Sequence, residues 1–214
     1  MRLSNVILVC GFAALLGLAG CAGKVRYPSF YVLNVPAPPS RSAQATPIPA
    51  SAAVQEFTAA GFLKGGYIVY RPSSEQVGFY NYDRWAEDPR QVVTKAFLQE
   101  IQDRRIFNSV QVYDGHESPD YLLTGTLDHL EEVDQGHKVM IQATVSARLI
   151  DRRNNEVRWA DTTTKTGAVD ERSVPGVVAE MSRQLGSAVS TLISSMQDHF
   201  SATASVSGGL RAEQ

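Results

Sequence analysis

The sequence predicts an α+β fold: a two-layer sandwich in which a mostly antiparallel sheet with a β-meander carries two helices packed on one face. Three observations lead to it. Residues 121–134, 138–151 and 156–169 form long runs of period two, joined by the short connections Gln135-Gly136-His137 and Arg152-Arg153-Asn154-Asn155, which are too short for anything but antiparallel pairing. Asp88-Pro89 opens a run with the apolar stripe Val93, Phe97 and Ile101. Val174, Val178, Met181, Leu185, Ala188, Leu192 and Met196 step by four and three, a helical seam sustained to Phe200.

Each element follows from local chemistry. Residues 30–35 are rich in β-formers and stop at Pro36, which predicts a strand. Residues 36–51 are rich in Pro, Ala and Ser and are expected to form a linker or exposed loop outside any sheet. A weak strand is expected over 53–57. Residues 67–71 and 77–82 read as two strands joined by a hairpin-length loop at 72–76. Asp88 is a favoured N-cap and Pro89 is tolerated at the first helical position, so a helix starts there. It should fade near Arg104-Arg105, where positive charge suits a C-terminus. The middle strand of the meander is the clearest: Val139, Ile141, Ala143, Val145, Ala147 and Leu149 alternate with a mostly polar set, so one face is core. Residues 201–214, small and polar, are expected to be a disordered tail.

The first 20 residues carry one positive charge, at Arg2, and an apolar run from Val6 to Leu18. That run is short of the roughly 20 residues a membrane span needs, and it has the layout of a cleaved leader. Leu18-Ala19-Gly20-Cys21 fits a lipobox, which places a thioether diacylglycerol on Cys21 and cleavage just before it. Cys10 leaves with the leader, so Cys21 would be the one cysteine kept and is consumed by lipid. A disulfide or thiolate metal site is thereby excluded. The domain order expected is residues 1–20 as leader, 21–29 as lipidated tether and 30–200 as a single domain. Ala22 rather than Asp follows Cys21; without an inner-membrane retention residue, the expected location is the outer membrane, facing the periplasm.

A formal net charge of −2 with no basic stripe argues against nucleic-acid binding. The sequence holds no Gly-x-Ser-x-Gly elbow, no phosphate-cradling glycine loop and no His-Glu-x-x-His. His116, His129, His137 and His199 lack ligand spacing, so no metal or other cofactor is expected beyond the acyl lipid on Cys21. Asp83, Glu87 and Asp88 crowd the start of the helix. Asp88 is accounted for as a cap and the other two as solvated charges, so no catalytic residue is assigned. Glu131-Glu132 and Asp134 read as solvated charge at a strand end. The densest run of chemistry is YIVYRPSSEQVGFYNYDRWAEDP, residues 67–89. Tyr70, Phe79 and Trp85 would plug a hairpin–helix junction, with Arg71 or Arg84 paired to Glu87. Tyr and Arg are also the residue types that interfaces favour, so Tyr70, Arg71, Phe79, Tyr80, Tyr82, Arg84, Trp85 and Glu87 form a candidate partner interface.

That run also carries a resemblance. Cys21; Tyr31 and Leu33; Ile68, Val69, Tyr70 and Arg71; Phe79 and Tyr82; Arg84, Trp85, Ala86, Glu87 and Pro89; and Pro119-Asp120-Tyr121 together resemble the ABC-type transport auxiliary lipoprotein component family. These are small lipoproteins that accompany MCE-domain lipid transport systems, including the paraquat-inducible type. The similarity covers most of residues 21–197. It departs at Leu63-Lys64-Gly65-Gly66, where relatives carry a polar turn, and in the proline content of 36–51. The resemblance implies a non-enzymatic accessory subunit with an MCE-domain protein and an ABC permease and ATPase as partners, and it leaves a homo-oligomeric ring open. The alternative kept beside it is an independent periplasmic lipid-binding carrier, which needs a closed apolar cavity between sheet and helices.

Overall fold

A computed structural model of the chain describes residues 26–36 and 47–209, with side chains as far as Ser201. The leader, Cys21, residues 37–46 of the Pro-rich segment and the last five residues, 210–214, lie outside the described residues. The fold is α+β, and the described residues form a nine-stranded mixed sheet with two helices. The strands are β1 (Ser29–Tyr31), β2 (Ile48–Val54), β3 (Thr58–Ala59), β4 (Tyr67–Ser73), β5 (Gln76–Trp85), β6 (Phe107–Val112), β7 (Tyr121–Gln135), β8 (Lys138–Asp151) and β9 (Glu156–Ala168). Helix α1 spans Pro89–Asp103 and α2 spans Val174–Gly209; a short 3-10 turn covers Gly61–Leu63.

The long ladders are the antiparallel β7–β8 and β8–β9, which form the expected meander; β4–β5, also antiparallel, is the expected hairpin. The parallel pairings are short: β1–β5, β2–β6, β2–β7, β3–β7 and β4–β7. Strand β7 is the spine. Along one edge it pairs with β8 throughout. Along the other it meets β2 at Ala52↔Tyr121, β3 at Thr58↔Thr126 and β4 at Tyr70↔Glu132.

Four elements differ from the sequence-based expectation. Residues 30–35 give only the short β1; residues 32–36 leave the sheet and strap across α2, where the Asn34 N–H donates to Ser182 Oγ at 3.1 Å. Gly186 of α2 makes room for the strap: a Cβ there would stand 3.3 Å from both Val35 Cγ1 and Pro36 Cδ. The Pro-rich stretch does enter the sheet, because β2 starts at Ile48. Pro49 is tolerated since the β2–β6 register shifts between Ile48 and Ser51, a bulge where no ladder N–H is needed. The expected strand over 53–57 therefore ends at Val54, and Phe57 turns into the core. The final helix continues past Phe200 to Gly209, into the stretch expected to be disordered; Ala202 and Ala204 there are helix formers.

Helix α1 begins as expected. Asp88 Oδ1 accepts from the Arg90 backbone N–H at 2.9 Å, with Pro89 at the first helical position. Val93, Phe97 and Ile101 are at most 1 % exposed, and burials of this kind stabilise by about 1.5–3 kcal/mol each. Phe97 stacks on Phe57 with ring centroids 4.7 Å apart. The Phe57 N–H donates to Thr94 Oγ1, which itself donates to the Arg90 carbonyl, so the link between β2 and β3 is pinned to α1. The seam of α2 packs as read, with Met181, Leu185, Ala188 and Leu192 fully buried.

One close approach fixes how Phe57 meets the spine. A Cβ on Gly125 of β7 would lie 2.2 Å from Phe57 Cε1 and 2.6 Å from the Ser146 carbonyl oxygen. The second atom is backbone and cannot swing aside. Gly125→Ala is therefore expected to lower the unfolding free energy by about 1–3 kcal/mol through overpacking, read as a lower urea midpoint.

Candidate interaction surface

The β4–β5 hairpin and the start of α1 bring the eight sequence-predicted interface residues into one region but give them different work. Trp85 is buried, 6 % exposed, where β5 meets β1. Tyr70 meets Tyr80 edge-on, centroids 5.4 Å apart, and covers Gly78, where a Cβ would stand 2.3 Å from its ring. The Tyr80 hydroxyl donates to Glu132 Oε2 at 2.6 Å. Arg71 makes a two-pronged contact with Glu131, Nε to Oε1 at 2.9 Å and Nη2 to Oε2 at 3.1 Å, and its Nη1 donates to the Ser74 carbonyl. Glu87 pairs with Lys95 of α1, not with Arg71 or Arg84 as expected. The first four of these side chains hold the fold, whereas the Glu87–Lys95 pair lies at the surface. Phe79 and Tyr82 are 41 % and 43 % exposed, and the Arg84 guanidinium lies 3.5 Å over the Tyr67 ring.

Reading Glu131-Glu132 as solvated charge is overturned. Glu131 is 1 % exposed and Glu132 7 %. They sit on opposite faces of β7, Glu131 toward Arg71 and Glu132 toward Tyr80. His129 Nδ1 stands 2.9 Å from Glu131 Oε1, so this histidine is satisfied within the strand. The three carboxylates that crowd the start of α1 in sequence are each engaged, Glu87 with Lys95. Asp88 caps α1, and the Arg90 side chain holds its carboxyl below the usual range. Asp83 is buried beside Tyr31. Among the described residues, no three His, Cys, Asp or Glu side chains stand together in a way that could hold a metal ion.

Another buried acid joins the helices. Glu100 of α1 is 4 % exposed, accepts from Ser190 Oγ of α2 at 2.9 Å and pairs with Arg104. Arg104 donates onward to Ser194 Oγ and Gln197 Oε1. Burial raises the pKa of both Glu100 and Glu132 above 4.5. A carboxyl raised on folding binds more protons folded than unfolded. Its stabilising contribution is thus complete below the unfolded value and lost as pH rises through the folded value. Unfolding free energy is expected to increase on acidifying from neutrality toward pH 4.5. Below 3.8 it falls again as Asp88 and Asp120, both lowered by their hydrogen bonds, are protonated. Urea titrations across pH check this, and Glu132→Gln should flatten the first slope.

The layer between sheet and helices, where a lipid carrier would hold its cargo, is occupied by Phe57, Phe97, Leu127, Ile141, Leu149, Met181 and other fully buried side chains. Two surface grooves have mixed linings. One of about 250 Å³ lies between the 33–36 strap and α1 and includes Glu87, Lys95 and Glu100. One of about 570 Å³ on the outer sheet face includes Glu56, Thr124, Thr126, Arg148 and Thr162.

The sequence model of the ABC-type transport auxiliary lipoprotein component family matches residues 31–192. The chain belongs to this family. The fold of this auxiliary lipoprotein is similar to that of protein XCC0632 from Xanthomonas campestris, with a TM-score of 0.71 at 16 % identity over 83 % of this chain and 99 % of that one. It is also similar to an uncharacterised protein, TM-score 0.62 at 12 % identity, over 79 % of this chain and 99 % of that one. At such identities the likeness speaks for the fold alone. No curated protein matches. Family membership makes the auxiliary lipoprotein an ABC-transport component of the envelope and points to a non-enzymatic role. Sequence reasoning missed Arg26, Tyr27, Phe30 and Tyr67 as neighbours of Phe79, Tyr82 and Arg84. They are gathered by the β1–β5 and β4–β5 pairings, the first of which leaves no local signal in the sequence.

Proposed function

We propose that this auxiliary lipoprotein is a non-enzymatic, lipid-anchored accessory subunit of an ABC/MCE-type envelope transport system for lipid or another hydrophobic solute. It is held at the outer membrane on the periplasmic side and docks the MCE component there. One observation carries the reading: a lipobox ending at Cys21 stands directly before a domain whose residues 31–192 are those of a transport auxiliary lipoprotein. The packed interlayer supports a part that holds others in place over one that encloses cargo. Affinity purification of the detergent-extracted full chain is the test. Co-purification of an MCE-domain protein supports the role. Its absence after in-cell crosslinking, with the chain intact and acylated, overturns it.

A further inference from the structure

The strongest unabsorbed feature is an exposed aromatic and cationic surface at the β1–β5–β4 end of the sheet. Strand β1 pairs in parallel with β5 so that Phe30 faces Arg84, and Arg84 pairs with Tyr67 across the hairpin. Partners across a ladder share a face, so Phe30, Arg84 and Tyr67 form one row. Phe79 joins it, its ring centroid 5.5 Å from that of Tyr67. Beside the row, Arg26 lies 4.8 Å over the Tyr82 ring. Phe30 is 65 % exposed and Tyr27 80 %. Aromatic side chains are costly to leave in water in such a group, and their association needs an explanation.

We propose that this surface is a membrane seat, lying in the headgroup layer of the bilayer that holds the lipid anchor. This rests on the acylation of Cys21 in the proposed function. Residues 22–25 alone separate Cys21 from Arg26, and a fully stretched chain of that length spans at most about 18 Å. An acylated Cys21 therefore keeps Arg26, Tyr27 and β1 within reach of the bilayer surface whatever the rest of the domain does. The chemistry fits that depth. Tyr and other aromatic rings with one apolar and one wet side concentrate at membrane–water interfaces. Cations favour anionic lipid phosphates. Among the described residues neither Arg26 nor Arg84 forms an ion pair with a carboxylate, and the nearby acid Asp83 is buried, so no exposed carboxylate opposes phosphate in the row. The far end of the spine, at Tyr121↔Asp151, is eleven positions along β7 from the β4 contact at Glu132. Strand β4 runs parallel to β7, so Tyr67 lies three positions nearer that end than Tyr70 does, and at about 3.3 Å per residue roughly 26 Å of strand separates the seat from the opposite tip of the sheet. The seat thus fixes orientation as well as attachment.

The test uses the full, acylated chain in vesicles of phosphatidylethanolamine and phosphatidylglycerol, with one added cysteine carrying an environment-sensitive fluorophore. Ser29→Cys places it on β1 at the rim of the seat, next to Phe30 in the strand but on its other face; Val157→Cys places it on β9 at the far end. Flotation with the vesicles and intact mass report the anchor separately. The expected result is a blue-shifted Ser29 label quenched by brominated lipid, with a Val157 label that stays in water. Adding Phe30→Ser and Tyr82→Ser should return the Ser29 label to water while flotation persists. An acylated chain that floats with both labels in water, or with both equally quenched, overturns the seat and leaves the anchor standing; the first would leave the surface to a protein partner. Quenching at Ser29 in a chain whose mass shows no acyl group upholds the seat and removes the anchor. Neither flotation nor quenching removes both.

Discussion

A Cys21→Ala chain, exported behind a leader that is cut without lipid transfer, is expected to move from the membrane fraction to the soluble periplasmic fraction while keeping its fold. Several acyl chains contribute about 0.8 kcal/mol per buried CH₂, and two or more make attachment effectively irreversible. The domain needs none of that energy to fold, because its core is complete within the described residues. Far-UV circular dichroism and the urea midpoint should be unchanged, whereas cell fractionation should show a nearly complete shift. The leader must be replaced: left uncleaved, the apolar run from Val6 to Leu18 would itself hold the chain at a membrane. Persistence of the exchanged-leader variant in the membrane fraction would reject the anchor. Weak, salt-sensitive retention on anionic vesicles is the signature expected of Arg26 and Arg84 acting alone.

The second large effect concerns stability. Arg71→Ala is expected to lower the unfolding free energy by about 3–5 kcal/mol, because it takes the two-pronged partner from a buried carboxyl and leaves it the His129 contact alone of the two. Glu131 is 1 % exposed and the Arg71 side chain 19 %, so water reaches the carboxyl only through the narrow space the guanidinium vacates. A loss of that size is a large part of the 5–15 kcal/mol on which domains of this kind rest. It should appear as a fall in the urea midpoint with little change in slope. A compensating pair, Arg71→Met with Glu131→Leu, separates the cause: most of the stability should return, since the cost lies in the orphaned charge more than in lost attraction. If the single variant is as stable as wild type, the contact contributes nothing measurable and the account of the buried acids fails.

What could be read in advance was what neighbouring residues decide among themselves. The meander was legible because Val139 to Leu149 alternate and the connections are short. Helix α1 was legible because Asp88-Pro89 caps a stripe at the right spacing, and α2 because its seam never breaks. The parallel pairings were not legible. β2 joins β7 across an intervening hairpin, helix and strand, so nothing near Ile48 announces its partner, and Pro49 argued against a strand. β6, Phe-Asn-Ser-Val-Gln-Val, alternates too weakly to stand out. The burial of Glu131 and Glu132 was hidden for the same reason. Two adjacent carboxylates look solvated until Arg71, 60 residues away in sequence, and Tyr80 are folded against them. Within the candidate surface, residue type did not separate Trp85 and Tyr80, which support it, from Phe79 and Tyr82, which face outward.

The arrangement of β7 also bears on how the domain carries load. A pull on Cys21 enters at β1 and divides. One route runs through β5 and β4 into β7, where the short β4–β7 ladder is reinforced by Arg71–Glu131 and Tyr80–Glu132. The other runs along the 32–36 strap into α2 through Asn34 and Ser182. Both cross from one element to another side by side, so tension along the strands loads them in shear and they must yield together. The domain should therefore behave as a stiff coupling between its tether and whatever grips its opposite tip, transmitting force with little stretch.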